Sequence, residues 1–122
     1  MKIKQTIIGH VPSKSNSYKL GKTKNGTSMM FKSKSLTKYE RDFFIQLDSK
    51  LKRLNYDDLF ELDVNVYFRS MRSDLDNSLK IILDCLECCG VIKNDNKCFS
   101  IKAKKHIDKN NPRIEFKIYS WK

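Results

Sequence analysis

The chain has no apolar run approaching the roughly 20 residues needed to cross a bilayer. Its opening Met1-Lys2-Ile3-Lys4-Gln5 alternates basic and apolar residues without the apolar stretch of a secretion signal. A membrane span and export are thereby set aside, and a cytoplasmic location is expected. No internal repeat and no low-complexity linker interrupts the 122 residues, so solenoids and linked domains are set aside too, and residues 1–122 read as one domain. There is no Gly-rich loop of the kind that cradles phosphates, so no nucleotide cofactor is expected. The only two histidines, His10 and His106, have no ligand-spaced partner. What remains is 39% hydrophobic, enough to exclude disorder as a description of the whole chain.

Acidic residues are scarce in the first half. Residues 1–53 hold 13 Lys or Arg against 3 acids, a balance of +10, whereas residues 54–122 hold 12 against 11, a balance of +1. A basic half joined to a near-neutral half points to a polyanion-binding surface on the first, with Tyr18, Phe31 and Tyr39 interleaved among the charges. The bland alternative is a Lys-rich surface that keeps the protein soluble. The four cysteines, Cys85, Cys88, Cys89 and Cys98, are not expected to form disulfides in a cytosolic protein. Three of them fall inside a helical pattern rather than around a tight turn, so packing explains them better than structural zinc does.

Periodicity organises the rest. Residues 2–8 read as a strand, and residues 10–28, rich in Ser, Lys, Asn and Gly, read as a long loop of the kind that often carries function. A short strand follows around Met29–Phe31. Thr37 and Glu40 are spaced as a capping box, followed by an apolar stripe of Tyr39, Phe43, Leu47, Leu51 and Leu54. Residues 59–69 alternate as a strand with Phe60, Leu62, Val64, Val66 and Phe68 on one face. A second helix is expected from Asn77 to Cys89, with Leu79, Ile82, Leu83 and Leu86 as its core stripe and Gly90 as its stop. Two strands follow, one placing Phe99, Ile101, Ala103 and Ile107 on one face and one placing Ile114, Phe116 and Ile118 on one face. Asp108–Pro112 reads as a hairpin turn between them. The expected class is α+β, with two main helices packed on a mixed, largely antiparallel sheet.

The informative stretch is Arg72-Ser73-Asp74-Leu75-Asp76-Asn77-Ser78-Leu79-Lys80. Two carboxylates at i and i+2 of an extended segment point to the same side, and two anions held that close repel unless a cation sits between them. Hard divalent cations take such oxygen ligands. Taken alone, this pattern before a helix is more often a cap than a metal site. Lys80 lies one turn after Asp76 and Asp84 one turn after Lys80, which by itself reads as an ordinary surface ion pair. Asp95 follows a return segment. The helix is roughly 19 Å long at about 1.5 Å per residue. Gly90 to Asp95, if extended, covers roughly 20 Å at about 3.3 Å per residue. A third carboxylate can therefore come back beside the first two.

From Asp74 to Lys97 the chain reads Asp-x-Asp-Asn-x-x-Lys, then Leu-Asp-x-Leu, then Gly-Val-Ile and an acidic turn. This resembles the signature of the RusA-type Holliday-junction resolvases, and Pro12-Ser13-Lys14-Ser15-Asn16-Ser17-Tyr18 looks like the Pro/Asn/Tyr loop near that family's N-terminus. The resemblance implies a homodimeric, Mg²⁺-dependent endonuclease, with Mn²⁺ as an alternative ion, that nicks opposing strands of a four-way junction in branched DNA. Carried over by position, Asp74, Asp76 and Asp95 would be the essential metal-binding acids, Lys80 the essential basic residue and Asp84 a supporting acid. One departure stands out. The family usually has two adjacent acids in the turn after Gly-Val, and this chain has Asn94-Asp95, in which Asn94 still offers a carbonyl oxygen. Two other readings stay open on the sequence: a non-catalytic nucleic-acid-binding module whose acids only cap and pair, and a related nuclease acting on other branched DNA.

Overall fold

The computed structural model describes residues 2–13 and 18–121, with only the backbone of Lys19. Lys14, Ser15, Asn16 and Ser17, which make up the middle of the Pro/Asn/Tyr segment, lie outside the described residues, as does the Lys19 side chain. In chain order the elements are β1 (Lys2–Ile8), β2 (Tyr18–Lys22), β3 (Ser28–Lys32), α1 (Lys34–Gln46), β4 (Phe60–Phe68), α2 (Leu75–Cys88), β5 (Cys98–Ile107) and β6 (Arg113–Ser120). Strands β1, β6, β4 and β5 form one sheet in that order, antiparallel except for the parallel β4–β5 pair, while β2 and β3 make a separate hairpin. The class is α+β with a mixed, largely antiparallel sheet.

The alternation of β4 places Phe60, Leu62, Val64, Val66 and Phe68 in the core, joined there by Ile7 of β1 and Ile114, Phe116 and Ile118 of β6. Phe43 of α1 stacks on Phe116, 6.2 Å between ring centres, so α1 lies over β6. The buried side of α2 is Ser78, Ile81, Ile82, Cys85 and Leu86. Leu79 and Leu83 are only partly buried, so the core stripe is rotated from the one the sequence suggests. Burial pushes the Cys85 thiol well up and the Cys89 thiol up to about 11, the behaviour of packing thiols rather than thiolates.

Several local expectations are corrected. The cap of α1 is Ser33, whose hydroxyl accepts from Leu36 N at 3.2 Å, and the helix starts before Thr37. Leu36 is buried, so the core claims the earlier turn, and Glu40 pairs with Lys32 at 2.9 Å instead of capping. The helix stops at Gln46; Leu51 reaches the core from the following turns and Leu54 is exposed. The long loop contains β2. Tyr39 is buried, as its place on the apolar stripe predicts, and so does not stand among the surface charges; its hydroxyl has no partner among the described residues. Segment 108–112 is not a hairpin turn, because β5 and β6 flank β4 on opposite sides. The chain crosses the end of β4, where Asp108 N donates to Phe68 O at 2.8 Å. Strand β5 is therefore an edge, and its Phe99, Ile101 and Ile107 are exposed.

The end of α2 sets the path back toward its own start. Gly90 has φ +81°, and a Cβ there would lie 2.5 Å from the Lys52 carbonyl oxygen. The residues that follow are bound alongside 55–56: Asn55 N donates to Gly90 O at 2.8 Å, Tyr56 N to Val91 O at 3.1 Å and Lys93 N to Tyr56 O at 3.0 Å. Val91 and Ile92 are buried. Gly90→Ala should therefore cost about 1–3 kcal/mol from the left-handed backbone alone, plus the displacement of segment 52–56. Chemical denaturation measures it, and a loss below about 0.5 kcal/mol would show that this turn does not constrain the return segment.

Candidate active site

The D-x-D pair straddles a helix start. Asp74 is the N-cap residue of α2, with extended backbone (φ −99°, ψ 127°) and no side-chain capping bond, while Asp76 sits in the first helical turn. The helix begins at Leu75, two residues before the start the sequence suggests, so the two acids do not share one face of an extended segment. Both are exposed. Both lie where the helix dipole and its free amides favour negative charge, which offsets part of their repulsion. The Asp74 carboxylate accepts from Asn77 Nδ2 at 3.3 Å.

Lys80 and Asp84 follow along the same helix, and the return segment brings Asp95 to them. Lys80 Nζ lies 3.0 Å from Asp84 Oδ1 and 3.0 Å from Asp95 Oδ2. These two bonds, Asp84 first, hold the ammonium well above the ordinary lysine pKa. Asp95 opens a single 3-10 turn (Asp95–Lys97), and its own amide donates to Glu87 Oε1 at 3.0 Å. Asn94 caps that turn, its Oδ1 accepting from Asn96 N at 3.0 Å. An aspartate would cap equally well, so the departure from two adjacent acids leaves the turn intact and removes one negative charge.

The structure thus joins Asp95, Lys80 and Asp84 and sets Asp74 and Asp76 at the start of the same helix. Among the described residues, no three His, Cys, Asp or Glu side chains converge on a point that would hold a metal ion. The donor chemistry of Asp74 and Asp76, two carboxylates at a helix N-terminus, suits a hard divalent cation. In this arrangement Lys80 provides the positive charge next to Asp95.

One residue of the site was not singled out in the sequence. Lys105 of β5 donates from Nζ to Met71 O at 2.9 Å and also to Ser73 O, and lies 5.7 Å over the Phe68 ring. It fastens the segment that enters Asp74 to the edge of the sheet. The available signal was a lysine in the core register of β5, between Ala103 and Ile107, across from Val66. A charge on an apolar face needs a reason, and here the reason is a pair of backbone carbonyls.

The open side of this region is a cleft of about 1140 Å³ bounded by Gly9–Ser13, Tyr18 and Met30 of the hairpin, Lys38 and Asp42 of α1, and the segment from Phe68 to Ser78. Asp74, Arg69 and Arg72 are among the residues that line it.

Comparison with known proteins agrees with this architecture. A family model described as "Endodeoxyribonuclease RusA" matches residues 10–119. A protein of Aquifex aeolicus described as "Crossover junction endodeoxyribonuclease RusA" is 33% identical over 90 residues, which is 73% of this chain and 71% of that protein. A protein of Arabidopsis thaliana described as "Receptor like protein 28" is 38% identical over 77 residues, 63% of this chain but 10% of that much longer protein.

The Lys105 clamp makes a local prediction. Hydrogen bonds from a charged group contribute about 1.5–3 kcal/mol each, so Lys105→Met should raise amide hydrogen exchange across residues 71–76 by roughly tenfold or more. The amides in the centre of β4 should keep their protection, and Lys105→Arg should restore much of the effect. Unchanged exchange at 71–76 in Lys105→Met would show that the segment is held by something else.

Proposed function

Because the chain belongs to the endodeoxyribonuclease RusA family, we propose that it is a divalent-metal-dependent nuclease that resolves four-way DNA junctions during recombination and repair, acting as a homodimer. The observation that supports this most is the extent of the family match, residues 10–119, which takes in Asp74, Asp76, Lys80 and Asp95. In this reading Asp74, Asp76 and Asp95 hold a hard cation, Mg²⁺ or Mn²⁺. Bound there, the cation supplies charge neutralisation and an activated water for phosphodiester hydrolysis.

The chain's own residues have separable tasks. Asp76 and Asp74 present negative charge at the N-terminus of α2. Lys80, tethered by Asp84, is an always-protonated group one turn away that can stabilise charge developing on the phosphoryl oxygens. Lys22 and Lys24, on and beside the hairpin, act on the DNA backbone away from the chemistry, a contact that positions without specifying. Two scissile phosphates related by a two-fold axis are met most simply by a two-fold protein with one site per subunit. Light scattering that gave a monomer mass alongside full junction activity would sink the dimer.

The primary test incubates labelled four-way junctions and linear duplex with the protein, with and without Mg²⁺. Paired nicks in the junction that require the ion are expected. Binding without cleavage under every metal condition would instead favour a non-catalytic DNA-binding module.

Asp74→Asn, Asp76→Asn and Asp95→Asn should each lower cleavage by roughly 100-fold or more with the fold retained. A variant that cleaves within a few-fold of wild type would remove that residue from the ligand set. Lys80→Ala should lose cleavage while binding the junction nearly as well as wild type. Neutralising Lys22 and Lys24 should weaken binding and flatten its salt dependence, whose slope is roughly −0.9 per phosphate neutralised on duplex DNA, with cleavage recovered at saturating protein. Equal loss of binding and cleavage in Lys80→Ala would make Lys80 part of the docking surface.

A further inference from the structure

The cleft beside Asp74 has a charge pattern that the acid site does not use. Of the basic side chains lining it, Lys38 is already neutralised by Asp42 at 2.8 Å. Arg69 and Arg72 are exposed and have no carboxylate within ion-pair distance among the described residues, where every other arginine or lysine ion pair lies elsewhere. Asp74, in the same lining, accepts from the Asn77 amide and has no cation within ion-pair distance among the described residues. Two guanidinium groups, whose planar forks match phosphate oxygens, therefore lie two and five residues before a carboxylate assigned to the cation, in the lining of one cleft.

The same cleft also carries rings and a thioether. Tyr18 and Met30 come from the hairpin, and His10 enters from the segment after β1, its ring edge-on to Phe68 with centroids 5.8 Å apart. Burial, and then the Arg69 charge, hold His10 below its ordinary pKa, so near neutral pH the imidazole is uncharged. Flat or polarisable side chains in one cleft with phosphate-binding arginines are what a single strand needs, the cations for its backbone and the rings for its unstacked bases.

The lining narrows the occupant further. The hairpin, α1 and the segment before α2 bring guanidinium groups and rings around one space, the combination that holds a single strand. We propose that this cleft receives one DNA strand with its bases unstacked, immediately beside the scissile phosphate, with Arg69 and Arg72 on flanking phosphates and Tyr18 and Met30 against the bases. This rests on the nuclease reading above and explains how such an enzyme favours branched DNA. Pulling a base out of a continuous stack is unfavourable, and least so where stacking is already interrupted. A branch point supplies such an interruption and linear duplex does not.

The test uses the full chain and a four-way junction with 2-aminopurine, a base that fluoresces when unstacked, next to the cleavage phosphate. Binding is followed in EDTA so that no cleavage intervenes. Wild type should raise the fluorescence several-fold on the junction and leave a linear duplex carrying the same base unchanged. Tyr18→Ala should lose at least half of that rise while its affinity for the junction stays within about threefold. Arg69→Gln with Arg72→Gln should raise the junction Kd by tenfold or more, shift duplex binding far less, and reduce the salt slope by about 1.4, from roughly −0.7 per phosphate on a single strand. No fluorescence change on junction binding, a full rise retained in Tyr18→Ala, or equal losses of junction and duplex binding in the arginine variant would each overturn the proposal. The nuclease reading fails separately, if wild type does not nick the junction with Mg²⁺, and the fluorescence in EDTA still decides the cleft.

Discussion

Strand β4 places Phe60, Leu62, Val64, Val66 and Phe68 on one face, each at most 1% exposed. Full burial of a side chain of this size contributes about 1.5–3 kcal/mol, and a strand with five of them is stable only with neighbours on both sides and helices above. That constraint puts β4 in the interior of the sheet, with β6 on one side and β5 on the other. Strand β5 runs parallel to β4, and a parallel neighbour requires a crossover. Helix α2 is that crossover. Its N-terminus, where Asp74 and Asp76 sit, consequently lies past the end of β4, and the segment between its C-terminus and β5 runs alongside Glu87 and Lys80. Asp95 rides on that segment.

Two lysines then set the electrostatics of the region in different ways. Lys80 works on side chains, bridging Asp84 and Asp95 at 3.0 Å each. Lys105 works on the backbone, binding the carbonyls of Met71 and Ser73 just ahead of Asp74. Exposed ion pairs contribute little to global stability, so the value of the Lys80 bridge lies in where it keeps three charged groups rather than in how much it stabilises the fold. Of the two Lys105 contacts, that to Ser73 O is partly buried and that to Met71 O is exposed.

The charge surplus of the first half is not uniformly available to a polyanion. Only three acids occur there, and two of them are occupied, Glu40 by Lys32 and Asp42 by Lys38. Lys52 lies 4.5 Å over the Phe44 ring. Lys4 stands directly across from Lys117 on the sheet face away from the helices, a like-charge pair that is unfavourable by itself and is eased by any nearby anion. The basic character therefore divides between the open sheet face and the hairpin side, and only the hairpin side adjoins Asp74.

Elements whose identity depends on local pattern were legible in the chain. The five-residue alternation of β4, the Gly90 stop and the strand at 113–120 needed nothing beyond side-chain period and backbone sterics, and the spacing of Asp74, Asp76, Lys80 and Asp95 carried the family resemblance. Helix starts were less legible, because Ser33 and Thr37 are both competent caps and only the burial of Leu36 selects the first. The partner of each strand was not legible at all. Asp108–Pro112 has the composition of a hairpin turn, but composition cannot report that β4 lies between the strands it joins, since strand order follows from which apolar face the whole molecule must bury. The same holds for the site. Sequence spacing brought Asp95 within reach of α2, whereas its pairing with Lys80, and the hold of Lys105 on the chain before Asp74, exist only because the parallel β4–β5 register places residues far apart in the sequence at contact distance.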